Sequence, residues 1–239
     1  MTWKNSPPIR LLASLRLAVA VLAILILALA TGSLVEARLG SAAAKALVYR
    51  SFWFHLLLGA LFLNVLASFL VRIPLRPRQY GFAATHAGIL TILVGAALTA
   101  AFGTEGGLAL SEGGTGHEML REYGGRVRLP FAISLQRFDL EFDPASAQSA
   151  GYRSRLALLD DRGRLLETAS VSMNRPLRYE GYAIYQSGYE RLPGRPARSF
   201  LVVARDPGRF LKYLGALITV LGIAGHFWLG RRNGKAPHA

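Results

Sequence analysis

Five histidines and no cysteine set the chemistry open to this 239-residue chain. Without a thiol there is no disulfide, no Cys-ligated zinc or iron–sulfur site, no thiol nucleophile and no haem attached covalently to the chain itself. Three imidazoles, His55, His86 and His226, fall inside long apolar runs, whereas His117 lies in a Gly-rich stretch and His238 in the C-terminal tail. An ionisable ring at membrane depth is costly and by default marks a functional site. Carboxylates gather at Asp139, Glu141 and Asp143 and again at Asp160 and Asp161. The first set alternates along one strand face and reads as solvated, since no oxygen-rich loop of the kind that holds a divalent cation surrounds it. Residues 103–125 hold eight glycines, but no Gly-rich turn runs from them into a helix carrying Lys-Ser/Thr, so a phosphate cradle is a poor match. They read as a flexible, extended entry into the chain beyond residue 125. No Ser-His-acid arrangement is legible.

The elements that must position the three histidines are apolar runs at residues 17–34, 52–71, 82–102 and 210–229. About 20 apolar residues cross the ~30 Å hydrocarbon layer as a helix, so each run is long enough to span. Val35-Glu36-Ala37 loosely resembles a signal cleavage site. The run before it is longer than the usual apolar core of a signal peptide, so the first run is read as a retained helix.

The formal net charge of +14 invites a nucleic-acid reading, and its distribution argues against one. Lys4, Arg10 and Arg16 precede the first run; Arg72, Arg76 and Arg78 separate the second from the third; Arg231, Arg232 and Lys235 follow the fourth. No acid stands among these nine cations. Residues 103–209 carry 15 Arg against 13 acids, close to balance. The positive-inside rule then places both termini and the 72–81 loop in the cytoplasm and residues 103–209 outside. The basic character is a topology signal, and no nucleic-acid partner is expected.

The expected fold is a polytopic α-helical membrane protein with four transmembrane helices and an extracytoplasmic all-β domain inserted between helices 3 and 4. The expected divisions are 1–102, a three-helix membrane part; 103–209, the β-rich external domain; and 210–239, the last helix and a cytoplasmic tail. Within the domain, Phe131, Ile133 and Leu135 share one parity and Phe138, Leu140 and Phe142 the other, which predicts a strand with a bulge near Gln136 and Arg137. Tyr152, Ser154, Leu156 and Leu158 lead into an Asp-Asp-Arg-Gly turn and a second strand over 165–173, a hairpin. Two more strands are read at 181–187 and 199–204. The segment is large enough for a small β-sandwich or an open barrel.

This topology assigns depths. His86 stands four residues inside the third run, about 6 Å, and His226 three residues before the end of the fourth, about 5 Å. Two neutral imidazoles at equal depth on neighbouring helices are what bis-His ligation of a haem b iron requires. Small neighbours of His86 (Ala83, Ala84, Ala87, Gly88) allow close helix approach. His226, followed by Phe227 and Trp228, and His55, preceded by Phe52, Trp53 and Phe54, also suit an interfacial aromatic belt. His55 lies at the opposite face and cannot share a ligand plane with the other two.

Several stretches together resemble the ResB (also called CcsB) membrane proteins of system II cytochrome c biogenesis. They are Ser51-Phe52-Trp53-Phe54 through Leu63-Asn64-Val65-Leu66, Thr85-His86-Ala87-Gly88, Asn174-Arg175-Pro176-Leu177, Tyr179-Glu180-Gly181-Tyr182-Ala183-Ile184-Tyr185-Gln186-Ser187 and Asp206-Pro207-Gly208. The resemblance implies three helices, an external domain and a final helix. It implies a haem-handling or scaffold subunit of a membrane cytochrome c synthase, working with a CcsA (ResC)-like membrane protein to deliver haem to exported apocytochrome c. In that family a His of the third helix is an axial ligand of membrane-embedded haem, and His86 matches its position; the other ligand comes from the CcsA part. Pairing His86 with His226 is a geometric inference from the run ends, not a family property. The implied setting is the bacterial inner membrane. Two other readings stay open: a non-catalytic anchor or assembly subunit of a respiratory or cytochrome complex, and a bis-His haem b electron carrier.

Overall fold

The computed structural model describes residues 3–122, 124–142, 149–172 and 174–233. Asp143, Lys235 and His238 lie outside these. The chain separates into two compact units, Met1–Phe102 with Pro207–Ala239, and Gly103–Asp206.

The helical unit contains α1 (Pro7–Leu12), α2 (Leu15–Ala44), α3 (Phe52–Val71), α4 (Tyr80–Phe102) and α5 (Arg209–Asn233). The last four are each long and apolar enough to cross a membrane. The short α1 has no apolar run to announce it; Pro7 and Pro8 preset the backbone of its first turn. Ser14 and Ser51 start α2 and α3 as N-caps, accepting from the amides of Leu17 at 3.2 Å and Phe54 at 3.3 Å. The first helix outruns its predicted end at residue 34, because strong helix formers such as Ala37, Leu39 and Ala42 carry it on. It is interrupted at Gly40 (φ 85°) and passes into a π-turn over Lys45–Tyr49.

Val21, Leu25 and Ala28 of α2 pack with Val48 and Phe54. Asn64, buried in α3, donates from Nδ2 to the carbonyls of Leu12 (2.6 Å) and Ser14 (3.2 Å), and Ser68 reaches that of Ala13. These carbonyls sit at the α1–α2 break; that of Ser14 also accepts from the Ala18 amide at 3.2 Å, so the polar Asn64 in an apolar helix is accounted for chiefly by the Leu12 carbonyl at the break.

The most extensive helix contact is between α4 and α5. It is an antiparallel seam of small residues at alternating three- and four-residue spacing. Gly81 meets His226, Thr85 meets Gly222, Gly88 meets Thr219 and Gly215, Gly95 meets Gly208 and Lys212. A Cβ at Gly88 would lie 2.6 Å from the Thr219 amide nitrogen and 2.7 Å from the Gly215 oxygen, so only glycine permits this approach.

The second unit is a single eight-stranded sheet in the order β5-β4-β3-β2-β1-β8-β7-β6, every neighbouring pair antiparallel. The strands are β1 (Thr104–Ser111), β2 (Thr115–Leu120), β3 (Arg126–Phe142), β4 (Ser149–Leu159), β5 (Leu165–Ser172), β6 (Leu177–Tyr179), β7 (Tyr182–Glu190) and β8 (Arg198–Arg205). One sheet curls on itself, giving the open barrel rather than the sandwich. Its two ends meet where Ser172 and Arg175 exchange backbone hydrogen bonds of 3.2 Å. The predicted bulge is present, the β3–β4 register shifting between Leu135 and Arg137, and so is the β4–β5 hairpin. The glycine-rich stretch differs from expectation: it supplies β1 and β2. Glycine there serves close approach, a Cβ on Gly106 falling 2.8 Å from the Leu120 oxygen.

Phe131, Ile133, Leu135, Leu156, Leu158, Ile184, Leu201 and Val203 fill the barrel interior. At one level the filling is polar: Ser154 Oγ bonds Ser199 Oγ at 2.9 Å and Gln186 donates to Ser199 at 3.2 Å, all three side chains buried. The Tyr182–Ile184–Gln186 face of the motif is therefore barrel lining.

Candidate functional site

His86 lies two turns into α4. Its Nδ1 stands 3.0 Å from the Phe82 carbonyl oxygen. A carbonyl only accepts, so this bond places the proton on Nδ1 and leaves Nε2 of the neutral ring with a free lone pair, the form that binds a metal. A carbonyl holding the far nitrogen is also the usual way a ligating imidazole is oriented. The Phe82 ring, one turn earlier, lies 3.7 Å from the His86 ring, centroid to centroid. Above it, the guanidinium of Arg72, which ends α3, sits 3.8 Å from the Phe82 centroid. Lys4 donates to the carbonyl of Ile73, the residue after Arg72. The site is thus a column of Arg72, Phe82 and His86 at the α3–α4 connection, with His86 half-buried. Sequence reasoning found His86 but used Arg72 only as a topology marker; the i, i+4 spacing of Phe82 and His86 was the available signal for their stacking.

His226 does not face His86. The seam sets His226 opposite Gly81, five residues and about 7.5 Å along the axis from His86. Gly81, Thr85, Gly88, Ile92 and Gly95 form the stripe on α4 that meets α5. At about 100° per residue, His86 stands roughly 140° from the centre of that stripe. The equal depth read from the run ends is therefore offset, because the ends of apolar runs do not fix helix register. The backbones touch along the seam, a Cβ at Gly81 coming within 2.6 Å of the His226 Cα. No porphyrin-wide slot separates these faces, so one iron cannot be held between His86 and His226 in this arrangement. His55 is exposed in the first turn of α3, its Nδ1 2.8 Å from the Ser51 oxygen, at the far end of the α3–α4 pair. Among the described residues no three His, Cys, Asp or Glu side chains cluster as a metal site. His86 offers one imidazole nitrogen, Nε2, that could ligate a metal.

A model of the ResB-like family matches residues 76–201, slightly more than half of the chain. The chain belongs to the ResB-like family. The matched region contains Phe82, His86, seven complete strands and the first half of β8, but neither His55 nor His226. Among curated relatives, Protein NrfI of Wolinella succinogenes is 32% identical over 97 residues, covering 41% of this chain and 10% of NrfI. Cytochrome c biogenesis protein CcsB of Thermosynechococcus vestitus is 31% identical over 107 residues, 44% of this chain and 24% of that one. CcsB of Synechococcus sp. (strain CC9311) is 36% identical over 104 residues, 44% and 22%. The aligned part of this ResB-like chain thus spans a tenth to a quarter of the length of these relatives. Among solved structures, cytochrome c heme lyase CcmF superposes over 87% of this chain and 34% of its own, with a TM-score of 0.42 and 18% identity.

Proposed function

We propose that this ResB-like protein is a haem-handling subunit of a membrane cytochrome c synthase, helping to pass haem to exported apocytochrome c. The single observation that carries this reading is His86, with Nδ1 tied to the Phe82 carbonyl and Nε2 left free on a flank of α4 that α5 does not cover. In this reading His86 would supply one nitrogen ligand to the haem iron and a CcsA-like membrane protein would supply the other. Thioether chemistry belongs to the haem and the substrate thiols; the chain contributes a ligand, its orientation and a membrane scaffold. Phe82 packs beside the His86 ring, and the Arg72 guanidinium, fixed over Phe82, would offer a cation to a haem carboxylate. The flanking cations support an orientation in the bacterial inner membrane with both termini cytoplasmic and residues 103–209 outside.

The test is a visible spectrum of the purified protein, oxidised and reduced, for wild type and His86→Ala, together with cytochrome c levels in the host. The proposal expects a b-type spectrum that diminishes in His86→Ala, is kept in His226→Ala, and accompanies failure of cytochrome c maturation when the gene is removed. Normal cytochrome c without the protein rejects the biogenesis role. Full function with no haem in any preparation leaves an anchoring subunit.

A further inference from the structure

The barrel wall has a gap whose chemistry plays no part in iron ligation by His86. The β3–β4 ladder begins only at Ala132 and Leu159, so residues 126–131 of β3 overhang the β4–β5 turn. Past that turn, among the described residues, no strand of the row covers them on that side. Across the gap stands the two-residue β6–β7 turn, Glu180-Gly181, both with positive φ. Between them is a shallow, open depression of about 510 Å³. Leu129 and Pro130 line one wall and Tyr182 the other. Behind them Phe131 packs edge-on against Tyr179 and Tyr182 with centroids 5.4 Å apart.

Two arginines reach this cleft, Arg128 and Arg205. Arg205 lies 5.5 Å from the centroid of Tyr182 and has no ion pair among the described residues. Arg128 has one loose contact, 3.5 Å to Asp161. The other carboxylate at the cleft, Glu180, stands on the β6–β7 turn and has no ion pair among the described residues. An unspent guanidinium held against an aromatic wall, with a second beside it, is a receptor for a planar apolar molecule carrying an anionic group.

We infer that this window in the barrel binds a flat, carboxylate-bearing ring, its body against Pro130 and Tyr182 and its carboxylates on Arg205 and Arg128. The choice of a dicarboxylic tetrapyrrole as that ring rests on the haem reading; the anion receptor itself does not. The test therefore uses metal-free protoporphyrin IX, which offers no iron to His86. Its fluorescence anisotropy is titrated with the full chain in nanodiscs, against empty nanodiscs. Saturable binding is expected, weakened about tenfold by Arg205→Gln, largely retained in Arg205→Lys, and unchanged in His86→Ala and in Arg137→Gln at a distant exposed site. The dimethyl ester should bind the wild type about tenfold more weakly than the acid. Equal affinity of acid and ester, or of wild type and both Arg205→Gln and Arg128→Gln, overturns the inference. So does loss of binding in His86→Ala. Displacement of the probe by an equal concentration of short-chain phosphatidylglycerol reassigns the window to a lipid phosphate and overturns the tetrapyrrole. If Arg205→Gln does not fold, the ester comparison on wild type decides. Absence of a b-type spectrum would defeat the haem reading while leaving this binding test intact.

Discussion

Replacing Gly88 by alanine should drive α4 and α5 apart, and the same change at Gly59 provides the comparison. Gly59 is also in a helix, but a Cβ there meets nothing within 4 Å. Gly59→Ala therefore reports the backbone preference alone, a gain of up to about 1 kcal/mol. At Gly88 the added carbon would sit 2.6–2.7 Å from backbone atoms of α5. Restoring ordinary contact near 3.4 Å opens the seam by about 0.7 Å, and a gap of that size forfeits roughly a quarter to a half of each dispersion well. A seam of this length holds on the order of 6 kcal/mol at about 0.15 kcal/mol per touching atom pair, so the loss is about 1.5–3 kcal/mol. Subtracting the backbone gain of about 1 kcal/mol leaves Gly88→Ala less stable than wild type by about 0.5–2 kcal/mol. The two variants should then differ by about 1.5–3 kcal/mol with opposite signs. Unfolding by SDS titration, followed by far-UV circular dichroism in mixed micelles, measures both. Gly88→Ala matching or exceeding Gly59→Ala in stability would refute the close-packed seam, and with it the argument that no iron sits between His86 and His226.

Asn64→Leu strips the Leu12 carbonyl of its donor and the Ser14 carbonyl of one of two, while keeping the volume of the side chain, and should cost about 1–3 kcal/mol. Limited trypsin cleavage at Arg10 and Arg16, flanking the α1–α2 break, should accelerate in parallel with that loss. Asp160 accepts from the amides of Arg164 and Arg162 and from the Arg164 side chain, which holds its carboxyl below the usual Asp range. A depressed folded value means that the β4–β5 turn has its full support above the unfolded Asp pKa and loses it as pH falls through the folded one. In a carboxyl-carbon NMR titration Asp160 should titrate below an unperturbed Asp, and Arg164→Gln should raise its midpoint.

Much of this architecture was legible because it rests on periodicity. Runs of apolar residues announced four spans, and the change of parity after Leu135 announced the bulge that the β3–β4 register places between Leu135 and Arg137. Two kinds of information were hidden. Glycine at positions 106, 107 and 116 reads as looseness when it stands alone, yet all three lie in strands, and at Gly106 the missing side chain is what lets β1 and β2 approach. Register was the other. Nothing in the apolar composition of residues 210–229 says which of them lies level with His86; that is fixed by which glycines meet, and those contacts turn His226 towards Gly81. His86 was identified because its cost in an apolar run is local, and Phe82 stands one turn away on the same helix, whereas Arg72 became visible as a companion only once the α3–α4 connection was folded.

The way the barrel is spliced into the chain has a consequence for how such proteins can change. Thr104 and Arg205, at the start of β1 and the end of β8, are direct cross-strand partners. Gly95 and Gly208, in the helical unit, touch as well. The segment between them therefore begins and ends at neighbouring points, like an extra paragraph inserted between two facing columns. Such an insert can lengthen, shrink or be exchanged without asking either helix to alter its course, so the size of the β-domain and the fit of the helix pair are free to vary as separate traits.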